Sequence, residues 1–143
     1  MKQSIVKDKS YSFALKVVQL ARTLRQQQEF ELSKQLLRAG TSIGANVEEA
    51  LAGVSKRDFV AKMSIASKEA RETHYWLRLV YDSKVLSSAF VAPILKDADE
   101  LLRILTAIVK TTQRQNGSGK QPALVSPTKH SKLNTQHSRD LYA

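Results

Sequence analysis

Two pairs of carboxylates stand three residues apart, and their oxygen atoms are the ligands that Mg²⁺ prefers. Glu69 and Glu72 are the first and last residues of "EARE", and Asp97 and Glu100 are those of "DADE", so each pair would share one helix face. One hypothesis is therefore a Mg²⁺-dependent nucleotide pyrophosphohydrolase. It is the weakest, because the second pair has Asp and Glu in the reverse of the expected order and ion pairing explains the acids more simply. A di-iron site is excluded, since it needs Glu-x-x-His and His74 follows Glu72 by two residues.

Basic residues with an aromatic residue among them suggest a different chemistry. Lys68, Arg71, Tyr75 and Arg78 recur at spacings of three, four and three, which predicts one stripe along a helix. The cations could pair with phosphates, and Tyr75 could stack on an exposed base. The alternative interpretation is an ordinary solvated basic face. We call these four residues the basic stripe and predict that they bind nucleic acid.

Polar side chains also follow a line beside the apolar stripes of two helices. The line comprises Arg38, Ser42, Asn46 and Glu49 on the second helix, and Asp58, Lys62, Glu69, Glu72 and Trp76 on the third. A short turn at Gly53 and Val54 makes these helices antiparallel neighbours, so the two lines could meet. We predict a partly buried polar network in which Arg38 and Lys62 neutralise some of the glutamates and Asn46 bridges. The alternative is a set of surface pairs, each contributing about 0.2–0.5 kcal/mol.

The stretch "LLRAGTSIGANVEEALAG", residues 36–53, contains three glycines and suggests either a phosphate-binding loop or a helix. A phosphate loop would follow a strand and end in Lys-Ser or Lys-Thr, and both features are missing here. In a helix, Gly40 and Gly44 each cost about 1 kcal/mol relative to alanine. We therefore predict that both glycines are helix-contact positions, where another helix approaches closely within the bundle or across subunits.

Apolar periodicity predicts four helices and no strand. We expect a first helix over about 10–27, capped by Ser10 or Ser12, and a second over about 30–52, ended by Gly53. The third should run from the "SKRD" capping motif to about 83, and the fourth from a Ser88 cap to 113. Pro93 should fall in the first turn of the fourth helix, because a proline deeper inside would break it. Short connections then predict an all-α fold, an antiparallel up-and-down four-helix bundle.

The charge is unevenly distributed over the chain. Of the net +10, residues 1–113 carry +6 and residues 114–143 carry +4. Residues 114–143 are rich in Gly, Ser, Pro, Gln and Lys, so we predict a flexible basic tail after a bundle domain at 1–113. The chain has no cysteine, no stretch of signal-peptide type and no apolar span of about 20 residues, and we expect a cytoplasmic protein without membrane contact.

Two segments, "LLRAGTSIGANVEEA" and "SKRDFVAKMSIASKEARETHYWLRL", resemble the four-helix-bundle proteins encoded in intervening sequences of bacterial 23S ribosomal RNA. The resemblance covers about residues 10–113, and its most specific positions are Arg38, Ser42, Ile43, Asn46 and Glu49, followed by Asp58, Phe59, Lys62, Ala66, Glu69, Glu72 and "YWL" at 75–77. Ala50 departs from the glycine that family members often have after the motif glutamate, and residues 114–143 lie outside the resemblance.

The resemblance implies a homo-oligomer, specifically a pentameric ring, with no established reaction. The family is similar in fold to the accessory protein of diversity-generating retroelements, a basic pentamer that binds nucleic acid and a reverse transcriptase. The leading hypothesis is therefore a non-enzymatic oligomer that binds structured RNA or DNA. A structural or protein-partner module, such as a reverse-transcriptase accessory factor, is the alternative. We assign no catalytic residue, metal site or cofactor.

Overall fold

A computed structural model of the chain describes residues 2–117, and all four of its elements are helices. They are α1 (Lys2–Gln26), α2 (Phe30–Ala52), α3 (Lys56–Ser83) and α4 (Ser88–Gly117). The predicted all-α fold is confirmed, and the described residues contain no strand. Of the predicted tail, residues 114–117 continue α4, and residues 118–143 lie outside the described part of the chain.

Consecutive helices are antiparallel neighbours, and α4 returns to pack beside α1. Lys9 and Lys16 of α1 form ion pairs with Glu100 and Asp97 of α4, so residue numbers rise on one helix as they fall on the other. The core between the helices is made of aliphatic side chains. Its largest fully buried members are Leu20, Leu24, Leu36, Ile43, Met63, Leu77 and Leu105. No helix among residues 2–117 is long and apolar enough to cross a membrane.

The first helix begins at Lys2, eight residues before the predicted start. Ser10 was predicted as a cap, but it is fully buried inside α1, and its hydroxyl donates to the Lys7 carbonyl at 3.0 Å. Ser12, which is exposed, also lies within α1 and not at its start. The extension is stabilised by Val6, which is fully buried and adds one more position to the core stripe. Val6 was missed because only Ile5, which is exposed, stands beside it, and the other residues around it are polar or charged, so no apolar period is visible before residue 10.

The contact between α1 and α2 is made by small side chains. A Cβ atom at Gly40 would lie 2.6 Å from Val17 Cγ1, and one at Gly44 would lie 3.4 Å from the Ser10 carbonyl oxygen. Near the connection, the buried Ser33 hydroxyl donates to the Ala21 carbonyl of α1 at 2.7 Å. The structure therefore places both glycines against a helix of the same chain, and the approach is closer at Gly40.

The junction of α2 and α3 forms as the sequence predicts. Gly53 ends α2 in an extended conformation, with φ −64° and ψ 147°. Ser55 caps α3, because its hydroxyl accepts the Asp58 backbone N–H at 3.1 Å. This short junction fixes the antiparallel pairing that brings the outer polar residues of α2 and α3 together.

The start of α4 differs from the prediction at two residues. Ser87, rather than Ser88, is the cap: its hydroxyl accepts the Phe90 N–H at 3.3 Å. Pro93 is the sixth residue of the helix and not part of its first turn. A proline there removes one hydrogen bond, the one that Ala89 would accept. The helix tolerates this loss because Ala89 and Pro93 are both exposed, and the freed carbonyl can bind water.

Candidate nucleic-acid interface

The basic stripe lies on the solvent side of α3. Its four residues, Lys68, Arg71, Tyr75 and Arg78, are all exposed, whereas Ala66, Ala70, Thr73, Leu77 and Val80 of the same helix are buried. The helical period separates the two sets, because the stripe residues fall between the core positions. The structure thus brings the predicted stripe together on one accessible surface, about 15 Å long at 1.5 Å per residue.

The three stripe cations form no ion pair within residues 2–117, although Glu69 and Glu72 are sequence neighbours of Lys68 and Arg71. Arg78 lies over the Tyr75 ring, with its guanidinium carbon 5.9 Å from the ring centroid, in a cation–π contact. Lys68 and Arg71 therefore keep their charge available for an external anion.

Tyr75 is a large aromatic side chain held in a fixed setting. The residue remains 47% exposed, and its ring makes an edge-to-face contact with Trp76 at a centroid distance of 5.2 Å and an interplanar angle of 70°. The indole Nε1 of Trp76 donates a long hydrogen bond to Glu72 Oε1 at 3.5 Å. Sequence reasoning found Tyr75 and Trp76 by spacing, but the edge contact between the two rings is visible only in the structure.

Beside the basic stripe, on the flank of α3 that faces α2, Arg38 of α2 pairs with two glutamates. Its Nη2 donates to Glu72 Oε1 at 2.5 Å, and its Nη1 lies 3.6 Å from Glu69 Oε2. The Arg38 side chain is 52% exposed, Glu72 36% and Glu69 only 17%. The buried Oε2 atom of Glu69 accepts no hydrogen bond. We call these three residues the Arg38 cluster.

The remaining predicted network residues do not join this cluster. Lys62 pairs with Glu49 at 2.7 Å at a separate, exposed point between α2 and α3. The predicted bridging role of Asn46 is wrong within the described contacts, because its amide donates to the Ser42 carbonyl at 2.8 Å and hydroxyl at 3.2 Å, one turn earlier on α2. Asp58 is exposed at the start of α3, with its backbone N–H on the cap. In place of one network, the structure therefore has two separate groups of ion pairs between α2 and α3, the Arg38 cluster and the Lys62–Glu49 pair.

The two glutamates of the Arg38 cluster have opposite pKa shifts. Burial raises the pKa of Glu69, the nearby charge of Glu72 raises it further, and Arg38 offsets only part of this. Burial also acts to raise the pKa of Glu72, but the hydrogen bond and charge of Arg38, with the Trp76 hydrogen bond, bring that pKa below its ordinary value. Arg38 therefore stabilises mainly the ionised form of Glu72.

Replacing Arg38 by glutamine should make stability depend more on pH. Without the guanidinium, burial and mutual repulsion raise the pKa of both glutamates, so the folded state binds more protons than the unfolded state. The destabilisation is then small near pH 4 and grows as the pH rises through the raised pKa values. We expect about 1–2 kcal/mol at pH 7, between the values for exposed and buried pairs. Urea denaturation at pH 4.5 and 7 measures the difference.

The matched control for this experiment is Lys62→Gln, which breaks the other ion pair between α2 and α3. Lys62 and Glu49 are both largely exposed, so the control should change stability by less than about 1 kcal/mol at either pH. An Arg38→Gln penalty that stays constant from pH 4.5 to 7 would show that the Arg38 cluster does not couple stability to protonation.

The two carboxylate pairs considered for Mg²⁺ face different helices. Glu69 and Glu72 pair with Arg38 of α2, whereas Asp97 and Glu100 pair with Lys16 and Lys9 of α1. No group of three or more potential metal ligands is found among residues 2–117. A shared Mg²⁺ site needs converging oxygens, and these pairs diverge.

An open groove on α2 was not predicted from the sequence. It is lined by Arg25, Phe30, Glu31, Ser33, Lys34, Leu37, Arg38 and Thr41. Phe30 and Leu37 are exposed there although they are large and apolar. Their spacing of seven on a helix is a signal that periodicity could have found, but the core stripe of the same helix accounts for the pattern first.

Comparison with known proteins agrees with the resemblance in the sequence. The family model of the 23S rRNA-intervening sequence proteins matches residues 2–107. Among solved structures, a protein of unknown function from the S23 ribosomal protein family of Bacteroides thetaiotaomicron VPI-5482 is 44% identical, with a TM-score of 0.73; the match covers 77% of this chain and 99% of that one. A search of curated proteins finds no match. The chain belongs to the family of 23S rRNA-intervening sequence proteins.

Proposed function

We propose that the protein is a non-enzymatic, self-associating helical bundle that binds nucleic acid through the basic stripe of α3. The observation that carries the proposal is the pair of unpartnered cations, Lys68 and Arg71, beside an exposed aromatic ring on one helix face. Cations that belong to no ion pair can displace the counterions of a phosphate backbone without first breaking one. The net charge of +10 supports attraction to a polyanion.

The proposed self-association is supported by apolar side chains that the single chain leaves exposed. Tyr11 and Leu15 are exposed one turn apart on α1, and Phe30 and Leu37 are exposed in one groove on α2; exposed large apolar side chains that lie near one another are typical of contact sites. The resemblance to pentameric bundles predicts five copies. Light scattering should then give about 80 kDa for five chains of 16.0 kDa, whereas a mass of one chain would contradict this part of the proposal.

Binding to nucleic acid should be steeply dependent on salt. The measurement is fluorescence anisotropy with labelled ribosomal RNA fragments and duplex DNA from 50 to 300 mM salt. Phosphate contacts release counterions, so we expect the logarithm of affinity to fall linearly with that of salt, with a slope of about 0.7–0.9 for each contact. Affinity should depend little on sequence. Absence of binding to either probe at 50 mM salt would refute the proposal.

A protein-partner module is the second candidate, favoured by the open groove on α2. Exposed Phe30 and Leu37 with Arg25 and Lys34 would suit a partner that presents apolar and acidic side chains. This candidate predicts no salt-dependent binding to the nucleic-acid probes, so the same titration separates the two.

A further inference from the structure

We propose that Tyr75 stacks on an unpaired base, so that the ligand of the basic stripe is a nucleic-acid segment with unstacked bases and not a continuous duplex. This inference rests on the proposed function and narrows the class of nucleic acid. It applies to ribose and deoxyribose strands alike, because a stacked ring contacts the base and not the sugar.

The surroundings of Tyr75 position the ring before any ligand binds. Trp76 makes an edge-to-face contact with it, Arg78 lies over it, and the indole donates to Glu72, which Arg38 holds at 2.5 Å. A ring ordered in advance loses less conformational freedom on binding. Yet 47% of the Tyr75 side chain stays accessible. A fixed and half-exposed ring is suited to receive a flat partner.

The cations on both sides of Tyr75 suit a strand that runs along α3. Lys68 lies about 10 Å to one side along the helix axis and Arg78 about 5 Å to the other, from the rise of 1.5 Å per residue. Phosphates on either side of a stacked base could therefore meet a cation at each end. Combined phosphate pairing and base stacking is the typical arrangement for single-stranded nucleic acid.

A duplex fits the ring less well. In a duplex the bases are stacked on one another and present only their edges in the grooves. Tyr75 lies on the surface of the helix α3, next to half-buried Trp76, so it could reach a base face only where the base has left the stack. Loops, bulges and single strands supply such bases.

The experiment compares affinity for three labelled probes of equal length: a single strand with uridine or thymine bases, an abasic single strand with the same phosphates, and a duplex. Tyr75→Ala in the full chain should weaken binding to the base-containing strand about 5- to 140-fold, the equivalent of about 1–3 kcal/mol of stacking. Binding to the abasic strand and the duplex should change less than about twofold. Tyr75→Phe should retain the wild-type affinity.

The matched control is Phe90→Ala, which removes another exposed aromatic side chain, on α4, and should leave all three affinities unchanged. Trp76 gives an independent readout, because it is the single tryptophan of the chain and contacts Tyr75. Its fluorescence should change with the base-containing strand and not with the abasic one.

The outcomes separate the two proposals. If Tyr75→Ala leaves single-strand affinity unchanged, or weakens the abasic strand equally, base stacking is refuted while phosphate binding by the stripe stands. If wild-type protein binds none of the three probes at low salt, both proposals are refuted.

Discussion

Replacing Lys68, Arg71 and Arg78 together by glutamine should weaken nucleic-acid binding at 0.1 M salt by roughly 100- to 500-fold. Three lost phosphate contacts reduce the slope of log affinity against log salt by about 2 to 3. Each unit of slope corresponds to about a tenfold difference in affinity between 1 M and 0.1 M salt. Glutamine is a good helix former, and all three side chains are exposed, so the fold should be kept. Anisotropy titrations over a salt series measure both the affinity and the slope.

The control carries the same change in charge at scattered positions. Lys7, Lys34 and Lys96 lie exposed on α1, α2 and α4, and none belongs to an ion pair within residues 2–117. Replacing these three by glutamine also lowers the net charge from +10 to +7. We expect less than a tenfold loss and an unchanged salt slope. Equal losses in both triple variants would show that total charge, not the stripe, governs binding.

Gly40→Leu should destabilise the bundle by at least about 3 kcal/mol, a large part of the 5–15 kcal/mol typical of folded domains. Even the first added carbon would lie 2.6 Å from Val17 Cγ1 and 2.8 Å from Cγ2. Val17 is fully buried and β-branched, so it cannot rotate away, and α1 would have to move outward. The midpoint of urea denaturation measures the loss, and wild-type stability for this variant would contradict the close approach of α1.

Gly44→Ala is the matched control, because it changes a glycine on the same face of the same helix. Its new Cβ atom would lie 3.4 Å from the Ser10 carbonyl oxygen, at the edge of ordinary contact. Alanine gains about 1 kcal/mol in helix propensity, so this variant should be about as stable as the wild type or slightly more so.

Gly40→Ala should reduce the free energy of unfolding less in a Val17→Ala variant than in the wild type, because the two methyl groups nearest to the new Cβ atom are gone.

Most of the helical architecture was predictable because it depends on periodic apolar residues. The second helix was predicted over 30–52 and occupies Phe30–Ala52, since its stripe is continuous and Gly53 ends it. The start of α1 was missed because it depends on one buried side chain, Val6, whose only apolar neighbour in sequence, Ile5, is exposed. The place of Pro93 was missed because water at an exposed carbonyl can replace a helical hydrogen bond.

The candidate site was predictable in its faces but not in its individual contacts. Helical spacing places Lys68 and Arg71 on one surface, yet it does not show that the neighbouring Glu69 and Glu72 pair with Arg38 instead. It also put Asn46 beside Glu49 and Lys62, while side-chain reach decided that its amide bonds Ser42 on its own helix. Such choices depend on rotamers and on the exact offset of two helices, which residue types alone do not specify.

The ion pairs between helices have a consequence for the electric field around the bundle. Among residues 2–117, six of the twelve acids take part in the seven ion pairs, and every pair except Arg103–Asp99 joins two helices. Negative charge is thus engaged where helices meet, and the outer side of α3 is left predominantly positive. A polyanion several ångströms away would already be turned toward that side before contact, and such orientation increases the rate of association more than its strength.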